Sequence, residues 1–142
     1  MSGKKSKSVN SAKRKKKYKS PAQRWRDKLD KLWKAAVKKD VVEFYGSDIC
    51  EVHKAKNCTG KGYDTHHVLH KKRYVSVRHI RTCGVRVCRA CHARCENNYN
   101  EDSRQALVKR IGEKAYQELY ELAQRNKPYN LDEREQIERD LK

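Results

Sequence analysis

The sequence predicts an α+β fold: a small core stapled by metal, flanked by amphipathic helices and led by a disordered basic arm. Three observations predict it. All six cysteines fall between Cys50 and Cys95, histidines crowd the same stretch, and Cys88-x-x-Cys91 has the spacing of a metal half-site. Apolar residues recur at helical period on both sides of that stretch. The N-terminus is a lysine-rich run with too little apolar surface to fold alone.

Composition sets the limits. Of 142 residues only 36% are hydrophobic and 38% are charged, so the apolar core is modest. Small cores of this kind need a staple, either disulfides or metal. The N-terminus has no apolar segment behind its lysines, so it does not read as a signal peptide. No run approaches the roughly 18 apolar residues that span a bilayer. The expected setting is therefore a reducing cytoplasm, where clustered Cys and His bind zinc, with a nuclear address as the alternative. A net charge of +18 predicts a polyanionic partner, because lysine and arginine gain affinity by releasing the counterions of phosphates. Nucleic acid is favoured over a membrane surface, since the basic run lacks interleaved bulky apolar residues.

Taken in order, residues 1–20 form the arm, with nine Lys or Arg and no acid. Its densest part, Lys13, Arg14, Lys15, Lys16 and Lys17, is expected to grip DNA, the alternatives being a solubilising tail or a nuclear-localisation signal. Residues 21–142 form one domain: a leading helix (21–45), the metal-bearing core (46–98) and a helical extension (99–142). Ser20-Pro21 reads as an N-cap followed by proline at the first helical position. Trp25, Leu29, Leu32, Trp33 and Ala36 then give a helical stripe to about Lys39, with the tryptophans as core. Val41 to Tyr45 is too short to classify. Leu107, Ile111, Ala115, Leu119 and Leu122 restore the helical period, broken at Gly112. Asn130 or Asp132 caps a last helix through Leu141.

Two residues between Cys88 and Cys91 let both sulfurs face one tetrahedral ion. The other half-site starts at Cys50, with Cys58 or His53 as its partner. The expected structural zinc site is Cys50, Cys58, Cys88 and Cys91, with His53 as the fallback. Between the half-sites lies Asp64-Thr-His66-His67-Val-Leu-His70, and His92 follows His67 by 25 positions. Adjacent strand residues point to opposite faces, so His66 and His67 can divide labour. A helix starting near Cys88 would bring His92 back towards them.

The stretch His66-His67-x-x-x-Lys71, then Val77-Arg78, then Gly84-Val85-x-Val87-Cys88-x-x-Cys91-His92 resembles the zinc-knuckle HNH endonucleases. From about Lys28 to Lys142 the chain also resembles phage recombination nucleases of the NinG type, including the Leu107-Val-Lys-Arg-Ile-Gly112 segment. The resemblance implies a ββα-metal (HNH) core and hydrolysis of DNA, duplex or branched. It implies His67 as general base, and His66 and His92 as ligands of a catalytic Mg2+ or Mn2+. Glu96, one helical turn beyond His92, would add a hard oxygen ligand. Cys83 stands where the family usually has an asparagine that braces the loop, and a thiol is a poor hydrogen-bond partner. Either Cys83 is a weaker brace, or Thr82 or His79 stands in, or the protein binds DNA without cutting it. Lys71, Lys72 and Arg73, with Arg78, Arg81 and Arg86, are expected on the DNA backbone, and His70 and His79 in solvent or facing phosphate. Two cuts on a branched substrate would suit a homodimer, which no residue demands.

Overall fold

The computed structural model describes residues 18–125 and 127–142. The Lys13–Lys17 cluster therefore lies outside the described residues. Among the described residues the architecture is α+β: five α-helices around a two-stranded antiparallel sheet.

Helix α1 spans Pro21–Tyr45. The Ser20 hydroxyl accepts the Gln23 N–H at 3.2 Å, and Pro21 sits where its missing N–H costs nothing. The helix ends at Gly46, whose φ of 84° is the left-handed geometry of a C-cap. Val41 to Tyr45 is thus the close of this helix. Val41 extends the buried stripe of Leu29, Trp33, Ala36 and Val37 by one turn.

Strand β1 (Asp64–His67) pairs with β2 (Gly84–Val87), His66 opposite Val85 and His67 opposite Gly84. Helix α2 (Arg89–Glu96) follows β2 directly, with Cys88 as its N-cap. Helices α3 (Asn100–Ile111) and α4 (Glu113–Gln124) are separated by Gly112 alone, at a φ of 90° that other residues rarely adopt. Helix α5 (Leu131–Leu141) begins with a reciprocal capping box between Asn130 and Glu133. Among the described residues no helix is long and apolar enough to cross a membrane.

Two apolar clusters hold these elements. One joins the cysteine-rich loops to β2, α2, α3 and α4; the other joins α1 to α5. Trp33 ties α1 to the sheet, its indole N–H donating to the Ile80 carbonyl at 2.9 Å. A Cβ on Gly84 would lie 2.5 Å from the Trp33 ring, so glycine is required for this approach. Beneath the cysteine loops, Glu51 and Arg110 form an ion pair at 2.9 Å, the carboxylate wholly buried. Arg110 also donates to the Gly84 carbonyl, and Glu51 accepts the Arg86 N–H, so neither buried charge is stranded.

Candidate metal centres and the cleft beside them

The sulfurs of Cys50, Cys58, Cys88 and Cys91 lie within 4.8 Å of one another, and three of the four residues are buried. Thiolates about 2.3 Å from a tetrahedral zinc stand about 3.8 Å apart, so the donor set fits a metal such as zinc. Each sulfur also accepts a backbone N–H: from His53 to Cys50 at 3.5 Å, and at 3.4 Å from Gly60 to Cys58, Cys91 to Cys88 and Ala55 to Cys91. Such bonds stabilise sulfur as thiolate. Burial would raise the Cys88 thiol, but the backbones of Cys91 and Thr59 and the neighbouring cysteines bring it down to about 6. His53 stands outside the cluster, exposed, with Nδ1 3.1 Å from Cys58 Sγ. Cys58 is thus the fourth member of the cluster.

A second group of donors opens onto a cleft of about 760 Å³. One ligand atom each from His66, His92 and Glu96 falls within 4.8 Å of the others. Helix α2 places His92 and Glu96 on one face, 3.2 Å apart, and β1 presents His66 to them. Asp64, two residues before His66, meets the other nitrogen of His92 at 3.2 Å. Asn100, at the start of α3, was not foreseen. Its side-chain N–H donates to the Val68 carbonyl, so its oxygen is the acceptor facing His66 Nε2 at 2.9 Å. Ser103 donates to the same oxygen at 2.7 Å. His66 must therefore donate from Nε2, which leaves the lone pair on Nδ1. Burial lowers its pKa, so the ring is neutral.

His67 faces the other way, as neighbouring strand residues do. Its ring stacks on Trp33, centroids 3.9 Å apart and planes within 11°. Nε2 donates to the Arg78 carbonyl at 2.9 Å, so Nδ1 carries the lone pair of a residue that lines the cleft. Burial pushes its pKa down to about 3, against the opposing backbone hydrogen bond. The arrangement yields a fixed, neutral imidazole with one free acceptor. Lys34 of α1 and Lys71 also line the cleft.

Several expected residues lie elsewhere. Cys83 does not reach the cleft: its side chain is fully buried in the core, and burial pushes the thiol up to about 12. Its main chain does join the ends of the strands, the carbonyl accepting the Val68 N–H at 3.1 Å. His79 is neither solvated nor phosphate-facing. It is 1% exposed, with Nε2 2.6 Å from Asp30. Arg78, Arg81 and Arg86 are committed within the fold rather than free for a backbone, paired with Asp30, Asp40 and Asp48 at 3.0, 2.6 and 2.8 Å. Each acid sits 38 to 48 residues earlier in the chain. Lys72, Arg73 and His70 are exposed as expected.

Fold and site together define an α+β protein with a buried four-cysteine cluster able to hold a metal. No family model, curated protein or solved structure matches this chain. The functional reading therefore rests on the chain's own residues and on the motif resemblance they carry.

Proposed function

We propose that the protein is a metal-dependent endonuclease of the HNH type, hydrolysing phosphodiester bonds in DNA. The substrate the resemblance points to is branched or displaced-strand DNA in phage recombination. One observation carries the reading: His66, His92 and Glu96 converge in the same cleft as the neutral, carbonyl-tethered His67. Two imidazoles and a carboxylate suit Mn2+ at least as well as Mg2+. An ion held by them would stabilise charge on the phosphate under attack and on the leaving 3′ oxygen.

The chain's own groups would do the rest. Nδ1 of His67 accepts the proton of the attacking water, while the Arg78 carbonyl fixes the tautomer. An anionic phosphate beside the ring raises its basicity from the low value burial imposes. Asn100 and Asp64 hold His66 and His92 by their second nitrogens, as outer hydrogen bonds orient metal-ligating imidazoles. Lys34, Lys71, Lys72 and Arg73 contribute charge for the backbone, and the net charge of +18 favours the same partner. The second reading, a DNA-binding protein that no longer cuts, draws on Cys83, whose thiol replaces the expected brace and is buried in the core.

The test is cleavage of duplex, single-stranded and branched DNA with Mg2+ or Mn2+, wild type beside His67→Ala. We expect ion-dependent cutting, about 10²–10⁴-fold slower in the variant, as for loss of a general base. Metal content and melting of the variant show that the four-cysteine cluster survives. Tight binding with no cutting under either ion would retire the nuclease in favour of the second reading.

A further inference from the structure

A second cavity, of about 350 Å³, is walled by Trp25, Arg26, Arg78, His79, Tyr129 and Arg134, together with smaller apolar residues. It connects to the cleft through residues already described. Arg78 and His79 both bond Asp30, which lines the cleft, and the Arg78 carbonyl is the group that holds His67. Among the described residues no acidic side chain lines the cavity.

The wall combines three features that a packed core would not leave. It is aromatic: Trp25 and Tyr129 meet edge to face, centroids 6.2 Å apart, and the Arg134 guanidinium lies 4.5 Å over the Trp25 ring. It is cationic, with Arg26 exposed beside it. And two of its residues carry the buried side-chain polar atoms that lack a partner among the described residues, His79 Nδ1 and Arg134 Nε. Leaving such atoms unsatisfied costs about 1–3 kcal/mol each, so they call for a ligand or water. Their chemistry differs. Arg134 Nε–H is a donor, and His79, donating from Nε2 to the Asp30 carboxylate, keeps an acceptor at Nδ1.

A planar ring carrying both a donor and an acceptor, attached to an anion, matches this wall. We propose that the cavity is a subsite for an unpaired nucleobase. The ring packs against Trp25 and Tyr129, and its edge meets Arg134 and His79. A base within a duplex has both faces stacked and its edge paired, so only an unstacked one can enter. The proposal rests on the DNA-acting reading and sharpens its substrate class to DNA with an unpaired nucleotide beside the scissile bond.

The experiment reads binding alone, with the full chain and no added divalent ion, so a failure to cut does not affect it. Three labelled duplexes are compared: fully paired, with one unpaired adenine, and with an abasic residue at that position. The wild type is expected to bind the unpaired base roughly tenfold tighter than the abasic duplex, within the range of one base stacked on an aromatic side chain. Arg134→Met and Trp25→Leu should each abolish that preference and leave affinity for the paired duplex unchanged. Two variants guard against one failing to fold, which melting curves detect. A parallel titration with deoxyadenosine monophosphate, read by indole fluorescence, separates a base within DNA from a free nucleotide. Equal affinity for base and abasic DNA, with no response to the nucleotide, would overturn the proposal. A preference retained by both folded variants would do the same and leave the cavity to structural water.

Discussion

The four-cysteine cluster and the histidine cleft are built from opposite materials. In the cluster every donor is a sulfur, every sulfur takes a backbone N–H, and three of the four residues are buried. In the cleft the donors are two imidazoles and an exposed carboxylate, and what holds them are side chains, Asn100 and Asp64. The first has four protein donors for a tetrahedral ion, which closes it; the second has three and opens to solvent. Closed sites supply folding energy, whereas open ones leave positions for water and substrate. The two are nonetheless mechanically joined. Cys88 caps the helix that carries His92 and Glu96, so the cluster sets the position of half the cleft.

The comparison breaks most visibly at Cys88. Cys88→Ser removes one thiolate and replaces the Sγ that caps α2. Structural zinc contributes on the order of 10 kcal/mol to small domains of this kind, which is comparable to a whole domain's stability. The expected outcome is loss of the cooperative melting transition together with bound metal. Treatment of the wild type with a strong chelator should do likewise. A variant that melted normally without metal would make the cluster dispensable and would dissolve the distinction drawn above.

The cleft should respond to change without loss of the fold. Asn100→Ala removes the acceptor that fixes the His66 tautomer. Outer-sphere partners of metal ligands are worth roughly 10–100-fold in affinity. Titration with Mn2+ should therefore show weaker binding at the cleft by that factor, while cysteine-bound metal and the melting temperature stay close to wild type. Unchanged Mn2+ affinity would remove Asn100 from the site.

This difference also governs how much could be read from sequence. The cluster was legible because metal geometry constrains local spacing: Cys88-x-x-Cys91 fixes one half, and the choice of Cys58 over His53 was the only ambiguity. His66, His67, His92 and Glu96 were legible from a dipeptide and a helical turn. Asn100 was not, because its contact with His66 spans 34 residues and no local pattern marks it. The acidic partners of Arg78, Arg81 and Arg86 were hidden for the same reason. A basic residue in a basic protein looks free until Asp30, Asp40 and Asp48 are seen beside it. The helices were legible from caps and apolar period, except Val41 to Tyr45, where five residues carry too little period to show that α1 continues.

At the end of the sheet away from Cys88 lies the Trp33–Gly84 contact, which tests whether the cleft depends on α1. Gly84→Ala would force a methyl group to within 2.5 Å of the Trp33 ring and 3.1 Å of Val37, both buried. Overpacking of this kind costs about 1–3 kcal/mol. Because Trp33 also stacks on His67, DNA cleavage should fall further than the stability loss alone explains. Chemical denaturation read beside cleavage rate separates the two. A variant as stable and active as wild type would show that Trp33 yields freely and does not position His67.

The smallest expected effect lies at Asp30, where α1 meets the residues that hold His67. Burial opposes ionisation of Asp30, yet hydrogen bonds from Arg78 and His79 outweigh it and hold its carboxyl below the ordinary range. A carboxylate depressed in the folded state stabilises the fold fully above its unfolded pKa, about 3.9, and that stabilisation fades as pH falls through the lower folded value. Asp30→Asn should therefore destabilise the protein at pH 7 by about 1 kcal/mol, a figure discounted for the partial exposure of the pair. Below pH 4 the gap between variant and wild type should narrow, because the wild-type carboxyl is then becoming protonated as well. Urea unfolding at pH 7 and pH 3 measures both points. A gap that persists undiminished at pH 3 would assign the loss to packing around His79 rather than to charge, and the coupling between α1 and the cleft would then be steric.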